Sequence, residues 1–204
     1  MALPKGYKAP ERNMAYMKWE QGENRFRMMS DVITGQSYWT KDSEGKPKPV
    51  RKREGENIQV GDIDGKLFHF WAMVVWDYQE EAKQKALEEG DVKKAVKILE
   101  ITQSTVQKPI VAYERNKDYG DAKGYDITVT KEGENMDTTY TVTPSPPKII
   151  APDITTACKE AKINLEALYS SEENPYGGDP FTDKTQEVKS GDVPSDINPE
   201  DLPF

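Results

Sequence analysis

The most apolar stretch of the chain, residues 66–78, carries hydrophobic side chains at odd and even positions alike. A strand buried on both faces reads this way, so this one is expected at the centre of a sheet. Elsewhere the pattern alternates. In residues 24–33, Phe26, Met28, Ser30 and Val32 fall on one side and Arg25, Arg27, Met29 and Asp31 on the other, which is the period of a strand. Gly35 then predicts a turn and residues 36–41 a second short strand, the two forming an antiparallel hairpin. Residues 96–102 return to strand. Residues 125–130 set Tyr125, Ile127 and Val129 against Asp126, Thr128 and Thr130. A turn at Gly133 leads to residues 138–143, where Tyr140 and Val142 share a face. This pair predicts another hairpin.

Between the strands the period changes. Residues 78–89 are mostly good helix formers, and Gly90 sits where a C-terminal cap belongs. Val106, Ile110 and Tyr113 predict a short helix over 103–113, provided that Pro109 falls in its first turn. Asp153 is placed to cap an amphipathic helix reaching residue 169, with Cys158, Ala161, Leu165 and Leu168 on one stripe. Residues 42–55 show no period and predict a loop. Beyond residue 170 the chain turns to Pro, Gly, Ser, Asp and Glu, and disorder is expected. The order predicts a mainly β fold with short helices. An antiparallel barrel of five or six short strands with an inserted helix fits it, and among small barrels the OB-fold has this inventory. The expected divisions are an arm at 1–18, the barrel at 19–150, a short helix at 151–169 and a disordered acidic tail at 170–204.

Composition changes this picture in one respect. The 204-residue chain has a net charge of −8. Residues 170–204 hold nine acidic and two basic residues, a net of −7, so residues 1–169 carry only −1. The acidity belongs to the tail and leaves the body free to bind an anion. Cys158 and His69 are the only residues of their kinds. That argues against a zinc site, a His-based metal centre and a Ser-His-Asp triad, and no metal or cofactor is expected. The longest apolar run, residues 70–76, is too short to span a bilayer. Residues 1–7 lack the apolar core of a signal peptide, so a cytoplasmic protein without a membrane partner is expected. No Walker-type phosphate loop or metal-spaced carboxylate cluster is present, and no enzymatic activity is expected.

The candidate chemistry centres on the basic run. Lys46, Lys48, Arg51, Lys52 and Arg53 place five cations within eight residues. Phosphate rewards such a cluster through counterion release, although a solvated loop or a nuclear localisation signal has the same composition. Aromatics flank the run: Tyr38 and Trp39 with Lys41 before it, Phe68, Phe70 and Trp71 after it, with Arg25 and Arg27 expected on a neighbouring strand. Cations tracking a backbone beside stacking aromatics are how unpaired nucleic acid is held. Phe26, Phe68, Phe70 and Trp76 are expected in the core. Tyr38 and Trp39 are neighbours on one strand, so at most one of them can face the core.

The chain ends in Asp196-Ile197-Asn198-Pro199-Glu200-Asp201-Leu202-Pro203-Phe204. A terminal Phe offers a partner an apolar plug and an α-carboxylate together. This ending resembles the C-terminal tail of bacterial and phage single-stranded DNA-binding proteins, with Leu202 where the bacterial proteins usually have Ile. The segment from Lys18 to Arg27 (KWEQGENRFR) and the two threonine-rich stretches at 124–130 and 138–143 are similar to single-stranded DNA-binding proteins of tailed phages. The resemblance covers roughly residues 14–147 and the tail. It implies an OB-fold, sequence-independent binding of single strands, and roles in DNA replication, recombination and repair. It also implies recruitment of replication or recombination proteins through Asp196, Glu200, Asp201, Leu202, Pro203 and Phe204. The chain lacks the Cys/His set of the zinc-containing phage proteins. A protein-interaction adaptor that binds no nucleic acid is the alternative from another class.

Overall fold

The strand predicted to be central organises the structure. The computed structural model describes residues 16–41, 44–58 and 64–169. Residues 1–15 of the arm predicted at 1–18, and the tail at 170–204, fall outside these. Strand β1 runs Gly22–Met28, β2 Ile33–Lys41, β3 Pro47–Arg53 and β4 Asp64–Asp77. Helix α1 (Tyr78–Lys85) follows, then β5 (Val96–Ile101), α2 (Ser104–Glu114), β6 (Asp126–Glu132), β7 (Thr139–Pro144) and α3 (Pro152–Glu160). All strand pairings are antiparallel, in the order β3-β2-β4-β1-β6-β7, with β5 also on β4. Trp71 and Ala72 pair with both β2 and β5, and Val75 and Trp76 with both β1 and β5. Hence β1 and β2 follow one another along one edge of β4, and β5 takes the other. Among the described residues no pairing of β5 with β7 closes the sheet. Helix α2 packs against β7 instead, with the Tyr113 hydroxyl 3.5 Å from the Val142 carbonyl oxygen.

Burial on both faces of β4 separates two apolar layers. Met73, Val75, Leu99 and Ile101 pack with Phe26, Ile127 and Val129, and Val106 and Ile110 of α2 cover them. On the opposite face Ala72, Val74, Trp76 and Ile98 lie under Ile154 and Ala157 of α3 and under Leu165 and Leu168 of a following 3-10 turn. Each Val, Leu, Ile, Phe or Met among these contributes about 1.5–3 kcal/mol when fully withdrawn from water. Met17 is buried in the first layer, and its N–H donates to the Ile98 carbonyl at 2.9 Å. Residues 16–17 therefore join the domain rather than the predicted arm.

The β6–β7 hairpin matches its prediction, with Val129 opposite Val142. The first predicted hairpin does not form, because β1 and β2 never pair. Their junction stays on β4: the Met29 N–H donates to the Val74 carbonyl at 2.8 Å, and the Ser30 hydroxyl accepts from the Val74 N–H at 2.9 Å. Gly35 lies within β2, where a Cβ would sit 2.1 Å from the Lys52 carbonyl oxygen. It serves a close strand approach, not a turn. Residues 47–53, predicted as loop, form edge strand β3, where Pro47 and Pro49 cost no central ladder bond.

Helix limits also differ. Asp77 caps α1 through the N–H groups of Gln79 and Glu80, and the helix ends at Lys85. Gly90 is not its cap; the chain folds back so closely that a Cβ there would meet the Gln84 carbonyl oxygen at 1.7 Å. In α2, Pro109 stands in the second turn rather than the first. The carbonyl it leaves without a helical donor belongs to Thr105, which is exposed to water. Asp153 lies inside the first turn of α3, capped by Ala151 without a side-chain bond. The predicted single helix to residue 169 is broken around Lys162, at φ 48°. Among the described residues no helix is long and apolar enough to cross a membrane.

Candidate nucleic-acid interface

The β2–β3 hairpin carries most of the residues singled out in the sequence. Its register sets Trp39 opposite Pro49, Ser37 opposite Arg51 and Gly35 opposite Arg53, while Gln36 faces Lys52 and Thr40 faces Lys48. Cross-strand partners share a face, and successive residues alternate. Trp39 therefore stands on the side of Arg51 and Arg53, and Tyr38 on the other. Ser37 in turn pairs with Phe68 on β4, which brings Phe68 to the face of Trp39.

Exposure decides between the two adjacent aromatics. Trp39 is 48% exposed and Tyr38 only 5%. Tyr38 is thus a packing residue and presents no stacking surface. Phe68 departs from its expected core position and is 39% exposed. Trp39 and Phe68 are both open to solvent on this side of the β2–β4 ribbon, with a register shift between them.

The cations beside them are largely engaged. Lys46 pairs with Glu44 at 2.5 Å, Arg51 with Glu100 at 2.7 Å and Lys52 with Glu56 at 3.9 Å; Arg53 pairs with Glu166 and lies 4.7 Å above the Tyr169 ring. Most of these pairs are solvated and exchange partners at little cost. Arg51 and Glu100 are both mostly buried, so Arg51 is committed to holding β3 over β5 and is corrected here to a packing residue. Lys48 has no carboxylate partner among the described residues. Lys41 stands exposed at the end of β2.

Arg25 and Arg27 are not brought to the hairpin. They project from β1 onto Asp126 of β6, at 2.5 and 3.0 Å. Tyr78 donates its hydroxyl to the same carboxylate at 2.9 Å, and Lys148 lies at 2.8 Å. Burial alone would raise the Asp126 carboxyl, but the bonds from Lys148, Arg25, Tyr78 and Arg27 outweigh it and hold it below the ordinary aspartate range. Arg27 is 2% exposed. Its Nε and Nη2 donate to the carbonyls of Lys123 and Lys148, each at 2.7 Å. Its predicted role at a phosphate is withdrawn: a guanidinium this enclosed cannot reach a polyanion.

Trp71 occupies the opposite face from Trp39. It pairs with Thr34, one residue out of phase with the Gly35–Phe70 pair. There it lines an open groove of about 370 Å³ with His69, with Gln107, Lys108, Val111 and Ala112 of α2, and with Arg115 at its C-cap. Lys108 and Arg115 are exposed and have no carboxylate partner among the described residues. A search of the sequence for runs of cations passes them over. The signal that would find them is their spacing of seven, which puts them on one side of a helix.

The acidic terminal residues Asp196, Glu200, Asp201, Leu202, Pro203 and Phe204 lie outside the described residues. Compared with known protein families, curated proteins and solved structures, the chain finds no match.

Proposed function

We propose that the chain binds single-stranded DNA without sequence preference and without catalysis, in phage DNA replication, recombination and repair inside a bacterial host. The carrying observation is that Trp39 and Phe68 are both exposed beside strand β3, which carries four cations. Half-exposed aromatics on a sheet contribute at most about 1 kcal/mol by cross-strand packing, while each stacked base contributes about 1–3 kcal/mol. In this reading the sheet is a partly open OB-type barrel. The bent β1–β2 unit, β4, β5, β6 and β7 supply its five strands, and α2 fills the gap between β5 and β7. The β3 hairpin then belongs to the connection between the first and second strands, a region where such barrels bind oligonucleotides. The end from Asp196 to Phe204 recruits a replication or recombination protein that receives the Phe204 ring and carboxylate.

One observation favours a second reading. Four of the five clustered cations already face carboxylates, which suits a protein-interaction adaptor with a near-neutral surface. Titration of the intrinsic tryptophan emission with oligo-dT and with duplex of equal length separates the two. Single-strand binding gives quenching by oligo-dT, weakened steeply by salt, and much weaker duplex binding. No binding to either favours the adaptor, and equal affinity for duplex refutes the preference for single strands.

A further inference from the structure

We propose that the groove between β4 and α2 is a second stacking subsite for the same unpaired strand, with a base on Trp71 and the flanking phosphates on Lys108 and Arg115; this rests on single-strand binding itself. The groove is built rather than incidental. Gln107 is buried, and its side-chain amide donates to the Ile101 carbonyl at 2.8 Å and lies 3.4 Å from that of His69, fixing α2 beside β4. Its volume of about 370 Å³ is in the range of sites that hold one small ligand.

Charge distinguishes this groove from the β2–β3 hairpin. The hairpin cations mostly face carboxylates, whereas Lys108 and Arg115 face none among the described residues. A phosphate here displaces nothing. A path to the groove also exists. Lys52, Gln36 and His69 form a cross-strand row on this face, which spans about 10 Å from β3 to β4 at ordinary strand spacing. Lys48, on the same face of β3, flanks that row. The strand thus enters between the lysines of β3 and crosses Gln36 and His69 to reach Trp71. It goes no further. Beyond Trp71 and Val111 lies a second groove lined by Asp31, Glu114 and Asp121, in which Lys123 is already paired with Asp31 and Asp121. That acidic wall repels a polyanion and sets the end of the path.

The test uses the full chain with both Lys108→Gln and Arg115→Gln, titrated with oligo-dT at several salt concentrations. Both residues are solvent-facing, so a thermal melt should match the wild type. Losing two phosphate contacts lowers the slope of log affinity against log salt by about 1.4. The affinity ratio between 50 and 200 mM salt then shrinks about 7-fold. Trp71→Leu, which keeps an apolar side chain against the core, should weaken binding about 5- to 150-fold with the slope unchanged. Should Trp71→Leu fail to fold, the double charge variant decides alone. Wild-type binding with an unchanged slope in the double variant overturns the subsite while leaving single-strand binding intact. A wild type that binds no oligo-dT overturns both.

Discussion

Replacing Asp126 by alanine should be among the most damaging single changes in the described residues. The carboxylate is fully buried and is shared by Arg25, Arg27, Lys148 and the Tyr78 hydroxyl. These groups come from β1, from the start of α1 and from the segment after β7, so one side chain ties together elements far apart in sequence. Arg25 and Lys148 are about half exposed and recover solvation when the carboxylate is removed. Arg27 cannot, because its side chain is 3% exposed. Its two carbonyl acceptors remain, but its charge is left without a counter-charge. Breaking a buried pair in this way costs about 3–5 kcal/mol, a large share of a total stability of about 5–15 kcal/mol. At a urea dependence of about 2 kcal/mol/M the unfolding midpoint falls by about 2 M. Asp126→Asn keeps an acceptor oxygen and should lose less. A loss below about 1 kcal/mol for Asp126→Ala would show that the carboxylate does not hold these elements together.

The same residue predicts an acid limb. Its folded pKa is depressed, so its contribution is complete above the unfolded value of about 3.9 and is lost as pH falls through the folded value. Wild-type stability should therefore drop on the acid side of pH 4, and the drop should be smaller in Asp126→Asn, read by urea midpoints between pH 2 and 6.

Other changes test other parts of the structure. The Tyr125 hydroxyl is buried and has no hydrogen-bond partner among the described residues, so Tyr125→Phe removes an unmet desolvation cost and should stabilise by about 1 kcal/mol in urea unfolding; a loss of stability would reveal a missed partner. Gly35→Ala drives a Cβ into the Lys52 carbonyl at 2.1 Å, and should open the β2–β3 hairpin, read as faster amide exchange across β3 and weaker oligo-dT binding. Trp39→Ala should weaken oligo-dT binding far more than it lowers the melting temperature, since the indole is only half buried, whereas Arg51→Ala should lower the melting temperature by stranding Glu100. Burial pushes the Cys158 thiol up to about 11, so iodoacetamide should label it far more slowly in the folded protein than in urea.

Local pattern carried much of this architecture. The two-faced apolar run at β4 and the strict alternation in β6 and β7 are properties of single segments, and both were readable. Pairing partners were not. Residues 24–33 read as one strand and Gly35 as a turn, yet Ser30 interrupts the strand by substituting for a ladder acceptor and Gly35 admits the Lys52 carbonyl; both reasons lie on other strands. Pro47 and Pro49 argue against a strand unless it lies at an edge, and edge position is a tertiary fact. At the interface, alternation required that at most one of Tyr38 and Trp39 face the core. Which one did so depended on the register with β3 and β4. The carboxylates that occupy the basic run made the largest difference: Glu100 and Glu166 are distant in sequence, so the charge count of residues 46–53 overstated what that surface offers a phosphate.

That pairing changes what a salt titration counts. A lysine that exchanges a carboxylate for a DNA phosphate leaves the carboxylate to gather a cation of its own. The DNA releases a counterion and the protein takes one up, so the exchange contributes little to the salt slope. A cation with no partner contributes about 0.7 for each contact with a single strand. If all five cations of residues 46–53 acted with Lys108 and Arg115 as unpaired charges, the slope would approach −5. If only Lys48, Lys108 and Arg115 contribute, it should be near −2, with affinity falling less than 20-fold between 50 and 200 mM salt. Measuring the slope on the wild type and then on Glu56→Gln gives the sharper comparison. Freeing Lys52 from Glu56 should steepen the slope by about 0.7. An unchanged slope would mean that Lys52 lies off the path of the strand, and that single-strand contact is concentrated on the β4–α2 side.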